Sequence, residues 1–238
     1  MDLSAHAAGI GALADDTRRA LYEYVAAQVE PVGREQAATA LGLAPHNVNF
    51  HLDRLVDEGL LEVEYRRLSG KTGPGAGRPS KLYRRGAREF AVSLPPRRYD
   101  LVGDILAAAV TRAADGLPLE RALESCAHDE GVSVARAAQG LDSQEPLGAL
   151  AQVLGSQGFQ PRVEDGDVLL ANCPFDALAQ KHTALVCGLN LAFVQGVADG
   201  LSAGAEARLE PEPGQCCVKA AAVRDTQAAD ERTANAPS

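Results

Sequence analysis

Three of the five thiols in this 238-residue chain fall where changes of chain direction could gather their side chains. Cys173 ends a strand-like stretch, Cys187 lies near the start of an apolar helical run, and Cys216, beside Cys217, precedes another strand-like stretch. Thirteen residues separate Cys173 from Cys187, and 28 separate Cys187 from Cys216. Converged thiolates are soft ligands and hold zinc, copper(I) or iron–sulfur clusters in preference to hard cations. No Cys-x-x-Cys pair is present, which sets the pattern apart from a zinc ribbon. The competing reading is that the thiols only fill a core, as free cysteines often do. That reading is taken for Cys126, in the helical stretch ESCAHDEG.

A second set of residues could read a nucleic acid. His46, Asn47, Asn49, Phe50 and Arg54 fall on one side of a helical pattern whose other side carries Val48, Leu52 and Leu55. Asparagine can bond adenine N6 and N7, and a phenyl ring can touch a thymine methyl. His46 and Asn47 could equally meet phosphates near the helix start, while His51 lies toward the apolar side as a structural residue. Downstream, Arg66–Arg88 holds eight basic residues and no acidic one, the charge footprint of a phosphate-binding surface. Arg66, Arg78 and Lys81 are its leading candidates for backbone or minor-groove contact, Arg78 and Lys81 being placed near a loop tip.

The elements that must position these residues can be read from breakers and periodicity. Asp15 can cap a helix over Thr17–Gln28, and Pro31 and Gly33 break the chain after it. Arg34–Leu41 forms a short helix ended by Gly42, and Pro45 suits the first turn of a helix running to about Glu58. Leu60–Arg67 and Lys81–Arg85 alternate as strands around the Gly/Pro-rich loop LSGKTGPGAGRP. Ala38, Gly42 and Val48 then occupy the three crowded points of a helix-turn-helix: the crossing, the sharp turn and the plug.

These residues resemble the winged-helix regulators of the ArsR type. The stretches that carry the likeness are LADDTRRALYEYVA, ATALGLAPHNVNFHLDRLVDEGLLE and GRPSKLYRR, spanning residues 10–88. The resemblance implies a homodimer that sets one recognition helix per subunit into successive major grooves of a palindromic operator in double-stranded DNA. Ala44 departs from it, standing where such helices usually carry a Ser or Thr cap. Beyond the winged helix, NCPF around Cys173, LVC around Cys187 and GQCC around Cys216 are similar to the cysteine pattern of SufR-like iron–sulfur repressors. That likeness implies an iron–sulfur cluster on Cys173, Cys187 and Cys216. Cys217 is then an alternative third or a fourth ligand, His182 is another fourth-ligand candidate, and zinc or no metal remains open.

Charge divides the chain as the motifs do. Residues 1–100 have a net charge of +1 and residues 101–238 one of −10. The expected architecture is α+β: a winged helix-turn-helix over residues 1–95, an α+β sensor and dimerisation domain with a small antiparallel sheet over 96–219, and a tail without structure over 220–238. SLPPRR (Ser93–Arg98) reads as the linker. In the second domain, Phe159–Val163 and Val168–Ala171 flank a turn, and Ala184–Asp199 is an apolar helix. The helix Tyr99–Gly116 carries an apolar face that could pair with its twin in a dimer or pack in its own domain. No run of 18 apolar residues and no basic-then-apolar leader is found, which gives a cytoplasmic protein with reduced thiols and no membrane span. Without a nucleophile–base constellation, a phosphate loop or an HExxH motif, a catalytic role has no support. The expected function is sequence-specific transcription regulation, as a repressor, with iron–sulfur or redox sensing. The alternative is a small organic ligand bound in the second domain, with structural cysteines.

Overall fold

The computed structural model describes residues 3–67, 78–138 and 145–223, and the chain divides between Val92 and Ser93 into two compact units. In the first unit, α1 (Leu3–Ala12), α2 (Asp16–Ala26), α3 (Arg34–Leu41) and α4 (Pro45–Asp57) enclose a small core, flanked by β1 (Val32–Gly33), β2 (Leu61–Arg66) and β3 (Ser80–Arg85). Asp15 caps α2 by accepting from the Arg18 N–H at 2.9 Å. Gly42 ends α3 with φ 65°, a left-handed turn that costs a glycine little. Val48, Leu52 and Leu55 of α4 are fully buried with Leu21 and Val25 of α2 and Ala37 and Ala38 of α3. The three strands form an antiparallel sheet in the order β1-β3-β2, with Val63 opposite Tyr83 and Tyr65 opposite Lys81.

Two features of this unit were not read from the sequence. The segment around Pro31 and Gly33 is not only a break, because Val32 pairs with Tyr83 and buries its side chain. And α1 precedes the expected first helix. Its apolar pattern is diffuse, and it is held by Gly9 lying under the Phe90 ring and by a 2.8 Å contact from His6 Nδ1 to Ala91 O.

The second unit contains α5 (Tyr99–Ala114), α6 (Leu119–Ala137), α7 (Pro146–Ser156), β4 (Pro161–Glu164), β5 (Asp167–Leu170), α8 (Asp176–Ala179), α9 (Thr183–Gly200), β6 (Ala205–Leu209) and β7 (Val218–Ala222). Its sheet is antiparallel in the order β4-β5-β7-β6. Asp165 and Gly166 both have positive φ and close the β4–β5 hairpin, the conformation that matches the twist of paired strands. The central helix α9 packs on α6, α8 and the sheet, burying Val186, Leu189, Phe193, Val194 and Val197. By length and apolarity α9 alone among the described helices could cross a membrane. At its crossing with α6, Gly131 lies against backbone of α9 and Gly196 against the His128 carbonyl, so neither position has room for a Cβ. The whole is α+β, with a helical first unit carrying a winged sheet and a second unit of helices on a four-stranded sheet.

One expectation changes here and two are sharpened. The tail was set to begin at Ala220, but Ala220–Ala222 complete β7, where Ala220 is buried opposite Val168 and Ala207. Three alanines give little strand signal alone; burial between two strands decides their state. The apolar face of α5 does not stand free for a twin: Leu101, Val102, Ile105 and Ala109 are buried in the core of their own unit, while Val110 is 62% exposed. Third, Pro96–Arg98 is not a slack linker within its unit. Arg98 N–H donates to Pro174 O, and Arg97 Nη1 donates to Asn172 Oδ1 and Cys173 O, both at 2.8 Å.

Candidate nucleic-acid interface and thiol site

On α4, His46, Asn47 and Arg54 are exposed, and Phe50 is 67% exposed although its ring is the largest apolar group on the helix. Pro45 takes the first helical turn, where a missing N–H costs nothing, but Ala44 leaves the helix start without a side-chain cap. Arg54 is paired with Glu58 one turn on, at 2.5 Å. Asn49 is half-buried, and its Nδ2 donates to Asp53 Oδ2 at 3.1 Å. His51 is mostly buried, its Nδ1 3.9 Å from Asp15 Oδ1.

Asp53 is the organising residue of this face, and the sequence reading passed over it. Besides Asn49 it accepts from Lys81 Nζ and, at 3.0 Å, from the Tyr83 hydroxyl, tying strand β3 to α4. Burial pushes its carboxyl up, but the hydrogen bonds from Lys81, Tyr83 and Asn49 outweigh that and hold it below the ordinary carboxylate range. Lys81 is therefore not at a loop tip: it lies inside β3, and its charge is spent largely on Asp53. Arg66, the last residue of β2, is shared between Glu64 and Glu30. Arg78 is exposed just before β3. Lys71 and the rest of residues 68–77 lie outside the described residues. The spacing Asn49–Asp53, one helical turn apart, was the available signal for this network.

In the second unit, Cys173 follows β5 and Cys216-Cys217 precedes β7, two strands that are neighbours in the sheet. The Cys216 N–H donates to Leu170 O at 2.8 Å, which pins the doublet beside the end of β5. Asn172 is buried and donates to Gly158 O at 2.6 Å and to Pro96 O at 3.3 Å, fixing the loop that carries Cys173. The result is that Cys216 interacts with both Cys173 and Cys217. The neighbouring Cys216 thiol and burial push Cys173 well above the ordinary thiol range. Cys216 is held down by Cys173, but Cys217 and burial push it up, to about 11. All three are described as free thiols.

Cys187 lies half-buried on the first turns of α9 and takes no part in these interactions, and His182 is exposed at the start of the same helix. What α9 brings to the doublet is Asn190, 1% exposed, whose Nδ2 donates to Cys216 Sγ at 3.1 Å. Its Oδ1 has no hydrogen-bond partner. A lone amide in the apolar run LVCGLNLAFV, three residues after Cys187, was the visible signal. As they stand, no three ligating side chains among the described residues converge on one point. Neighbouring sulfurs are soft donors of the kind that zinc, copper(I) and iron–sulfur clusters prefer over the oxygen donors of hard cations. Cys126 is buried in α6 as core.

Three helices with α4 leading into a two-stranded hairpin define the first unit as a helix-turn-helix domain of the winged, DNA-binding kind found in transcription regulators. Residues 13–64 match the family model described as a helix-turn-helix domain, a span that runs from the end of α1 into β2. No curated protein and no solved structure matches the chain.

Proposed function

We propose that the protein is a sequence-specific transcription regulator, a repressor acting as a homodimer on a palindromic operator, whose second unit senses iron–sulfur or redox status. The observation that carries the DNA reading is α4. One side is locked in the core by Val48, Leu52 and Leu55, and the other presents His46, Asn47 and Phe50 to solvent at a size suited to a major groove. Asn49, aimed by Asp53, and Arg54 extend that face; Arg78 supplies flanking positive charge, and Arg66 and Lys81 would add theirs by exchanging their carboxylate partners for phosphate.

The sensing reading rests on Cys216 lying beside Cys173 and next to Cys217 at the ends of neighbouring strands, together with the SufR-like cysteine pattern. These residues would hold the cluster, with Cys187 on the adjoining helix as the further ligand that the SufR-like pattern implies. When bound, the cluster supplies a redox-sensitive, thiolate-held charge at the end of β5. The chain transmits a change at Cys173 through the Asn172–Asp176 loop to Arg97, and so to the residues that join the two units. A groove of about 1000 Å³ between α6 and α9, lined in part by Leu123, Glu124, His128, Leu189, Ala192 and Gln195, supports the second reading, in which a small organic ligand is the signal.

Anaerobic purification with iron analysis and a visible spectrum, followed by operator binding before and after removal of the iron, tests the first reading. A coloured, iron-containing protein whose operator affinity changes on iron removal is the expected result. A colourless protein whose Cys173→Ser and Cys216→Ser variants bind and release DNA as the wild type does would favour the organic ligand.

A further inference from the structure

The groove between α6 and α9 has an apolar floor and an acidic rim. Leu123 of α6 and Leu185, Leu189 and Ala192 of α9 make the floor, with Leu185 41% exposed along it. Gly188 lies among them. Gly131 and Gly196, where the same two helices cross, are demanded by backbone that leaves no room for a Cβ. A Cβ on Gly188 would meet nothing within 4 Å. Glycine inside a helix lowers its stability, and no packing calls for it here. Its effect is to leave the groove open by the volume of a side chain.

The rim carries Glu120, Glu124, Asp129 and Glu206 against the one guanidinium of Arg121, with His128 beside them. Asp129 is paired with Arg112 at 2.8 Å, and Glu206 with Arg208 at 3.0 Å. Glu120 and Glu124 have no cationic partner among the described residues, and they stand one turn apart on α6, where like charges repel. Glu120 gains from its place in the first turn of the helix, but Glu124 lies beyond it. The end of the groove is built in advance of any occupant. His128 Nε2 is 2.8 Å from Asp199 Oδ2, and Gln195 donates to Asp199 Oδ1 while accepting from the Ala207 N–H.

We propose that this groove binds an organic cation with an apolar body, the body lying on Leu185, Gly188 and Leu189 and its charge offset by Glu120 and Glu124. The proposal rests on the organic-ligand reading and goes beyond it in assigning the ligand's charge and the residues that select it. A bare metal cation has no use for the leucine floor, and an anion would meet four carboxylates. A second copy of the chain would bring its own acidic rim against this one, within a region of net charge −10 that attracts cations instead.

The test is calorimetric titration of the full-length protein in sodium buffer with tetraphenylphosphonium and, separately, tetraphenylborate, ions of matching shape and opposite charge. Fluorescence of neutral N-phenyl-1-naphthylamine reports the floor alone, and circular dichroism reports folding. The wild type binds one phosphonium, at least about tenfold tighter than the borate. Glu120→Gln with Glu124→Gln weakens the phosphonium about tenfold and leaves the naphthylamine unchanged. Gly188→Phe fills the groove and removes both. Should that variant fail to fold, the glutamine pair decides the matter, unchanged phosphonium affinity counting against the proposal. Equal affinity for the two ions, with naphthylamine bound by the wild type and lost in Gly188→Phe, overturns the cation while leaving the organic-ligand reading standing. A wild-type protein that binds none of the three probes overturns both. A wild-type dimer that Gly188→Phe turns into a monomer in sedimentation also overturns the proposal, because a second copy then fills the groove.

Discussion

Asp53 shows how one carboxylate can set the character of a DNA-facing surface. It sits on the helix that would enter the groove, where a bare negative charge would repel phosphate, but Lys81, Tyr83 and Asn49 all spend a hydrogen bond on it. Because its carboxyl is held below the ordinary range, its contribution to stability is complete above the unfolded value and is lost as pH falls through the lower folded one. Asp53→Asn should therefore cost about 1 kcal/mol at neutral pH and flatten the acid limb of the stability profile, which denaturant titrations across pH would read. It should also free Lys81 and Asn49, giving tighter but less discriminating DNA binding in competition with random duplex. The thiols titrate in the opposite sense. Cys173 and Cys216 are raised, so both are protonated at neutral pH, and an ion held by them, as proposed, would have to displace their protons. Apparent zinc affinity should thus climb steadily with pH between about 6 and 9, followed by competition with a chelator; a flat profile would mean that these thiols do not hold the ion. The sequence exposed which residues face outward on α4, since that follows from helical period alone. It concealed Asp53 and Asn190, because their roles arise from partners 28 and 26 residues away in the chain.

At the scale of elements, α2, α3, α4, β2 and β3 were legible because each announces itself: Asp15 as cap, Gly42 as stop, Pro45 as start, and period-two alternation in the hairpin. α1 and β7 were not. One is a weakly amphipathic alanine–glycine helix secured by Phe90, and the other a strand of alanines secured by its neighbours. Ala44 is a departure in the sequence that the structure leaves uncompensated, for no side chain caps α4. Ala44→Ser should then stabilise the protein by about 1 kcal/mol, visible as a raised midpoint in a thermal melt of the first unit's transition. It should leave the metal spectrum untouched.

For the molecule as a whole, the division of charge and of motifs between the two units was plain in the sequence, whereas the docking of Pro96–Arg98 was hidden by its linker-like composition. Near its start the second unit is fastened to its own Cys173 loop through Pro96 and Arg97. Arg97→Ala should keep iron content and spectrum, yet reduce toward one the ratio of operator affinities measured with and without the cluster. An unchanged ratio would mean that the signal travels by another route. The order β1-β3-β2 has a separate bearing on how such a protein can diversify. Since β3 is hydrogen-bonded along both sides and plugs the core with Tyr83, a slip by one residue would expose that ring, so the hairpin's base is fixed in phase. A one-residue insertion within β3 should therefore lower the melting midpoint, read in a thermal melt.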